Sequence, residues 1–320
     1  MSENLNVEEV SFQVEGTTVR GDLYTPVGDA DAWPVVVMAG GWCYVKELRQ
    51  PDYAKEFAAN GLAALIIDYR NFGASDGEPR QHLDPWRQIE DYRSAISYVA
   101  SRPDLDGERI GVWGISYSGG HVIILSAVDH RVKAAVSNVP VIDGWQNMWR
   151  VHGSERFRIL KQALDEDRQK RIQTGEFGPI AMSAPPSEGL AAWPFEEVRT
   201  VFHELQRTEA PAHEHWSTMA SVDLLMQYNA LPYASRIFDT PFMMITASGD
   251  DITPEDWEVE AFNAIRCPIK KLVRLPETTH MRLYSDLNRL EMAAKAAASW
   301  FVDHLIAPIT MDTLLGGRPI

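Results

Sequence analysis

One serine, one histidine and one aspartate in this chain have the types and surroundings for nucleophilic catalysis. Ser116 lies in the run Arg109-Ile110-Gly111-Val112-Trp113-Gly114-Ile115-Ser116-Tyr117-Ser118-Gly119-Gly120-His121. An alcohol is a weak nucleophile at neutral pH, so it needs a base within hydrogen-bond reach. Ile110 to Trp113 reads as a buried parallel strand, and the residues from Ser118 through Ala127 read as a helix of small and apolar residues. Ser116 at the corner between them has the strand–turn–helix setting of a nucleophile elbow. The strained turn demands small neighbours. Gly114 stands two before the serine; Ser118 stands two after it, where glycine is usual, and Gly119 follows. The turn also leaves the Tyr117 amide at a helix N-terminus, free to bind an oxyanion.

His280 is the candidate base. Of nine histidines it alone sits just past an expected strand end on the side where Ser116 must lie. His82 precedes a helix in a loop, His121 belongs to the elbow helix and His304 to the closing helix. His213 and His215, two residues apart, point to different sides of a helix, so no metal site is expected there. Asp250 and Asp251 follow the preceding strand and supply the orienting acid. Asp250 is preferred, because Pro254 then opens the next helix in an Asp-x-x-x-Pro turn; Asp251 is the alternative. The order Ser116, Asp250, His280 is that of an α/β-hydrolase. The second oxyanion amide is expected from the loop Gly40-Gly41-Trp42, where glycine lets the backbone approach a ligand and Trp42 or its neighbour donates. Cys43 beside it reads as a buried thiol.

The elements that must position these residues alternate. Val7 to Pro26 reads as a β-hairpin turning at Gly16. Val35–Met38, Ala63–Tyr69, the elbow strand, Val132–Pro140, Pro241–Ser248 and Lys271–Pro276 are expected strands. Between them lie helices over Asp52–Asn60, Pro85–Ser101 and Pro254–Ala264, with a long amphipathic helix over Leu287–Leu305 at the end. Pro85–Ser101 carries its apolar positions at Trp86, Ile89, Tyr92, Ala95, Ile96 and Val99. Such alternation implies a mostly parallel sheet wrapped by helices. It stops between Ile142 and Arg236. That segment is too long for a structureless loop and is rich in tryptophan, so it is expected to form a mostly helical cap, 142–236, inserted into a core of 1–141 and 237–320. Trp145 and Trp149, with Gly41, are expected at the substrate. The tail after Pro308 is expected to be poorly ordered.

Composition sets the class. The chain has 320 residues, 45% hydrophobic, with a net charge of −15, which suits a globular protein and repels nucleic acid and anionic membranes. No apolar run of spanning length occurs, and the acidic start Met1-Ser-Glu-Asn is unlike a signal peptide. Cys43 and Cys267 lack metal-ligand spacing, so reduced thiols and a cytoplasmic location are expected. The cap aromatics and the closing helix are two candidate faces for a homodimer.

With these residues in place the chain resembles the α/β-hydrolases over nearly its whole length. Asp68-x-Arg70-x-x-Gly73-x-Ser75 together with Gly114-x-Ser116-Tyr117-x-Gly119 is similar to the X-Pro dipeptidyl-peptidase and cocaine-esterase group. Met38 to Glu47 and Trp113 to His121 also resemble dienelactone-hydrolase-like proteins and fungal polyketide transferases and thiohydrolases. Two departures stand out: Gly40 replaces the histidine of a His-Gly oxyanion loop, and Ser116 replaces the cysteine of dienelactone hydrolases. The resemblance implies a serine hydrolase of an ester or thioester, with a small-molecule acyl substrate and no cofactor. Ser116 would attack, His280 act as base, Asp250 orient it, and the Tyr117 and Trp42 amides hold the oxyanion. Acyl transfer, peptide cleavage and C–C hydrolysis on the same fold are the alternatives.

Overall fold

Tight turns and buried apolar strands dictate the frame. The computed structural model describes residues 5–28 and 30–306; the tail expected to be poorly ordered lies outside them. β1 (Leu5–Val14) and β2 (Thr17–Pro26) pair antiparallel in full register, closed by Glu15 and Gly16. Both turn residues have positive φ, 50° and 82°, the two-residue geometry whose twist matches a hairpin. Then β3 (Trp33–Ala39), α1 (Gln50–Ala59), β4 (Ala63–Asp68), α2 (Pro85–Ser101), β5 (Leu105–Ile115), α3 (Tyr117–Val128) and β6 (Val132–Asn138) alternate as expected. β10 (Phe242–Ala247), α8 (Glu255–Ala264), β11 (Lys270–Leu275), α9 (Arg282–Ser285) and α10 (Leu287–Phe301) complete the frame, with a π-helical turn over Val302–Ile306. The numbers between belong to the 142–236 segment below.

These strands form one eight-stranded sheet in the order β1-β2-β4-β3-β5-β6-β10-β11, antiparallel at the hairpin and parallel from β4 onward. Every residue of β4 and β10 is buried, as continuous apolar runs covered by helices on both faces should be. After β3 the chain steps to β4 on one side and then returns to β5 on the other. The carboxyl ends of β3 and β5 therefore flank the switch point, where an open α/β sheet leaves a crevice. In α2, Asp84 caps by accepting from the Trp86 and Arg87 amides, and Ile89, Tyr92, Ala95, Ile96 and Val99 are buried. Trp86 departs from the expected stripe: it is exposed and lies near Tyr228 and Tyr233.

The segment 142–236 is not purely helical. It carries α4 (Gly144–Thr174), bent at Gly153 (φ 67°, ψ 168°), α5 (Glu196–Thr208), α6 (Met219–Gln227) and the short α7 (Leu231–Ala234). It also has its own three-stranded sheet, β8-β7-β9, from β7 (Pro179–Ser183), β8 (Ala191–Trp193) and β9 (Trp216–Thr218). Strands of three residues are too short to show a period of two, so the sequence reads only helical patches. Thr218 N–H donates to Gln81 O, and Leu83 N–H donates to the Ser221 hydroxyl, which ties this segment to the frame. Among the described residues no helix is long and apolar enough to cross a membrane.

Candidate active site

Ser116 follows β5 with φ 59° and ψ −117°, a conformation rarely adopted by a residue with a side chain. The surrounding backbone holds it there: Ser116 N–H donates to Asn138 O at 2.9 Å, and Val141 N–H donates to Ser116 O at 3.0 Å. A Cβ on Gly114 would stand 2.4 Å from Ser118 O and 2.6 Å from its carbonyl carbon, so the elbow admits only glycine there. Ser118, in the place where glycine is usual, is buried and has its own task. Its hydroxyl accepts from Ile115 N–H and lies 2.8 Å from Ala39 O, to which it donates, tying the elbow to the end of β3.

His280, 3% exposed, reaches Ser116 from the loop after β11. Its Nε2 lies 3.1 Å from Ser116 Oγ, and its Nδ1 lies 2.7 Å from Asp250 Oδ2. The Asp250 carboxylate is fully buried, and its Oδ1 accepts from the Ile252 and Thr253 amides at 2.9 and 2.7 Å. Asp251 is exposed at the surface. The geometry thus brings together Ser116, His280 and Asp250. The turn also explains the aspartate: its side chain folds back on its own backbone, as Asp does where a strand ends.

The loop after β3 approaches from the other side. A Cβ on Gly41 would lie 3.1 Å from Ser116 Cβ and 3.4 Å from Tyr117 N. At Gly40 the space is taken by the Tyr44 side chain, whose ring atoms would stand 2.0 and 2.2 Å, and its Cβ 2.4 Å, from an added Cβ. That is the physical reason for glycine in this loop. Among the described residues, neither the Trp42 nor the Tyr117 amide donates to a protein acceptor. The loop is fixed from below by Asp68, whose Oδ1 accepts from Lys46 N–H at 2.7 Å and Oδ2 from Ala74 N–H at 2.8 Å. Burial pushes the Asp68 carboxyl up to about 7, against those two amides. Arg70 is buried with Asp91, donating to it at 2.5 Å, and Asp76 pairs with Arg20. Cys43 is a buried free thiol whose pKa burial drives well up.

Above Ser116 and His280 lies a cavity of about 320 Å³, open solvent at its mouth included. Its other walls are Trp42, Tyr44, Ile252, Met281 and Tyr284 from the frame, and Met182, Trp193, Val198 and Phe202 from the inserted segment. Among the described residues, no Asp, Glu, Lys or Arg lines it. The rings pack edge to face: Trp42 on Trp193 at 6.1 Å, Tyr44 on Phe202 at 5.8 Å and on Tyr284 at 5.8 Å between centroids. Tyr284 also stacks on His280 at 5.7 Å. Trp145 and Trp149, expected at the substrate, are elsewhere. They are 45% and 53% exposed on α4 and outside the lining, with Trp145 packed on Phe157 and Lys161 over its ring. Four apart on one helix, they share its solvent side, while Met148 and His152 take the buried side. The residues missed by sequence reasoning had faint signals. Tyr284 stands four after His280, and Trp193 ends the short apolar run Ala191-Ala192-Trp193. Nothing local marked Met182, Val198 or Phe202.

Comparison with known proteins agrees with this architecture. The chain is 29% identical over 297 residues to thiohydrolase aneE of Aspergillus aculeatus, covering 90% of this chain and 87% of that protein. It is 27% identical over 300 residues to acyltransferase drtE of Aspergillus calidoustus, covering 92% and 94%. The crystal structure of the α/β hydrolase GrgF from Penicillium superposes with a TM-score of 0.78 at 24% identity, covering 94% of this chain and 99% of that one, a likeness of fold. The model of the S15 family of X-Pro dipeptidyl-peptidases matches residues 15–282, which span β2 through the loop bearing His280. On that match, and with an α/β-hydrolase sheet beneath it, the chain belongs to the X-Pro dipeptidyl-peptidase (S15) family of hydrolases.

Proposed function

We propose that the protein cleaves an ester or thioester of an uncharged, apolar acyl group through an acyl-enzyme on Ser116. The observation that carries this reading is the chain of contacts from Ser116 Oγ to His280 Nε2 and from His280 Nδ1 to Asp250, opening into a cavity lined, among the described residues, by no Asp, Glu, Lys or Arg. His280 takes the Ser116 proton as the oxygen attacks the carbonyl carbon. The tetrahedral oxyanion is received by the Tyr117 and Trp42 amides, each worth roughly 3–4 kcal/mol in the transition state. The imidazolium then protonates the leaving alcohol or thiol. Water, activated by His280, releases the acid by the reverse path. Asp250 holds the imidazole in the tautomer with Nδ1 protonated and stabilises its cation. The segment 142–236 acts as a cap, and Met182, Trp193, Val198 and Phe202 receive the acyl chain.

A second reading keeps the acyl-enzyme but passes it to an alcohol or amine. The mostly apolar and aromatic lining favours it, since water is disfavoured there, and a relative of similar length is named an acyltransferase. Turnover of p-nitrophenyl esters of increasing acyl length, beside Ser116→Ala, tests the first reading: activity should vanish in the variant. Survival of turnover there would remove Ser116 from the mechanism. Product analysis with an added acceptor separates transfer from hydrolysis.

A further inference from the structure

Thr253 is a buried residue of the Asp250–Pro254 turn to which the scheme above gives no task. It is 1% exposed. Its Oγ1 lies 2.9 Å from Asp250 Oδ2, 3.0 Å from His280 Nδ1 and 3.1 Å from Val139 O. A hydroxyl carries one proton and two lone pairs. The Val139 carbonyl and the Asp250 carboxylate can only accept, so that single proton goes to one of them. The carboxylate is the stronger acceptor, and it is the nearer. Asp250 then receives four donors: the Ile252 and Thr253 amides on Oδ1, and the Thr253 hydroxyl and His280 Nδ1–H on Oδ2.

We propose that Thr253 is a positioning residue of this triad, whose hydroxyl donates to Asp250 Oδ2, holds that oxygen on His280 Nδ1 and tempers its attraction for the imidazolium. The inference rests on the Ser116–His280–Asp250 reading. The other ionisable groups around the pair are few. Glu258 on α8 is fully buried beside the Thr253 hydroxyl, which works against the rise in its pKa but makes no hydrogen bond to it as close as those to Asp250 and Val139. Burial, with the charge of Asp250 adding to it, raises the Glu258 pKa well above the carboxylate range, so it stands neutral behind the turn. Asp251 adjoins Asp250 at the surface, Tyr284 on α9 stacks on His280, and Ser116 faces Nε2. None of these donates to Asp250, so among the described residues the hydroxyl is its only side-chain donor besides His280.

The test is the pH dependence of kcat/KM on a p-nitrophenyl ester for wild type, Thr253→Val, Thr253→Ala and Thr253→Ser, each checked for its melting temperature. Without the hydroxyl, Asp250 is less satisfied and binds the imidazolium more strongly. His280 then stays protonated to higher pH. The ascending limb should move to higher pH by about half a unit or more in the valine and alanine variants, with turnover about tenfold lower. Thr253→Ser, which keeps the hydroxyl, should hold the limb at the wild-type position. A limb unmoved in both the valine and alanine variants overturns the proposal, whatever the loss of turnover. So does a limb that moves equally in the serine variant, since the methyl group is then responsible. If the valine variant does not fold, the alanine and serine pair decides. Ser116→Ala and Asp250→Asn run alongside. Full turnover in either sinks the triad reading itself, whereas their collapse beside an unmoved Thr253→Val limb sinks only this inference.

Discussion

The two walls of the cavity are built by different physics. On one wall stand Ser116 and His280, with Asp250 buried behind them, at the ends of β5, β11 and β10, held by directional bonds from neighbouring strand ends and from the turn itself. On the other, Met182, Trp193, Val198 and Phe202 come from the inserted segment, with the rings of Trp193 and Phe202 packed against Trp42, Tyr44 and Tyr284. Hydrogen bonds fail steeply with angle and distance, so the first wall tolerates almost no change. Apolar packing is nondirectional and forgives volume-conserving changes, so the second wall can vary in shape while the chemistry stays fixed. Damage to the first wall should therefore strike kcat, and damage to the second should strike KM and acyl preference.

The sharpest way to break this contrast is Ser116→Ala. It should lower kcat on a p-nitrophenyl ester by about 10⁴-fold or more, measured by initial rates. Gly114→Ala comes next: its methyl would collide with the Ser118 backbone, so the elbow must shift. A stability loss of about 1–3 kcal/mol with collapse of kcat is expected from denaturant titration and kinetics. On the apolar wall, Phe202→Ala removes packing without touching the triad. KM for longer acyl esters should rise about tenfold, with kcat changed less, and short esters should be nearly unaffected. Equal loss of kcat on all esters would show that the two walls are not separable.

Asp68 offers a subtler test beneath the loop after β3. Its folded pKa of about 7 lies above that of an unfolded aspartate. The folded state therefore holds the proton more tightly, and this contribution to stability is full below about pH 4 and lost as pH rises to about 7. The difference in unfolding free energy between wild type and Asp68→Asn, followed over that window, should change by a few kcal/mol at most; a flat difference would contradict the raised pKa. The smallest effect is expected at Trp149→Ala, exposed on α4. Turnover within twofold of wild type and stability within about 0.5 kcal/mol are expected, and a large rise in KM would return this residue to the substrate site.

Much of the frame was legible because local pattern and tertiary role coincide there. Buried parallel strands show as apolar runs, so β3, β4, β5, β6 and β10 were readable, and the Gly16 turn marked the hairpin. Trp86, Trp145 and Trp149, expected on a buried stripe or at the substrate, stand exposed for a common reason. A large apolar residue suggests burial, but which side of a helix meets its neighbour depends on how the helix is rotated against the rest. The three-stranded sheet of the inserted segment was invisible because β8 and β9 each have three residues and find their partner, β7, far along the chain.

By itself the sequence marked the groups that the structure brings together at Ser116. A serine between a strand and a helix, an aspartate before an Asp-x-x-x-Pro turn and a histidine past a strand end are each local statements, and strand ends of one sheet must lie near one another. Tertiary structure decided what surrounds them. The contact of Thr253 Oγ1 with His280 crosses 27 positions, and the meeting of Tyr44 with Phe202 joins the loop after β3 to the inserted segment. Such contacts depend on packing between elements distant in the chain, and no local periodicity encodes which side chains will share a wall.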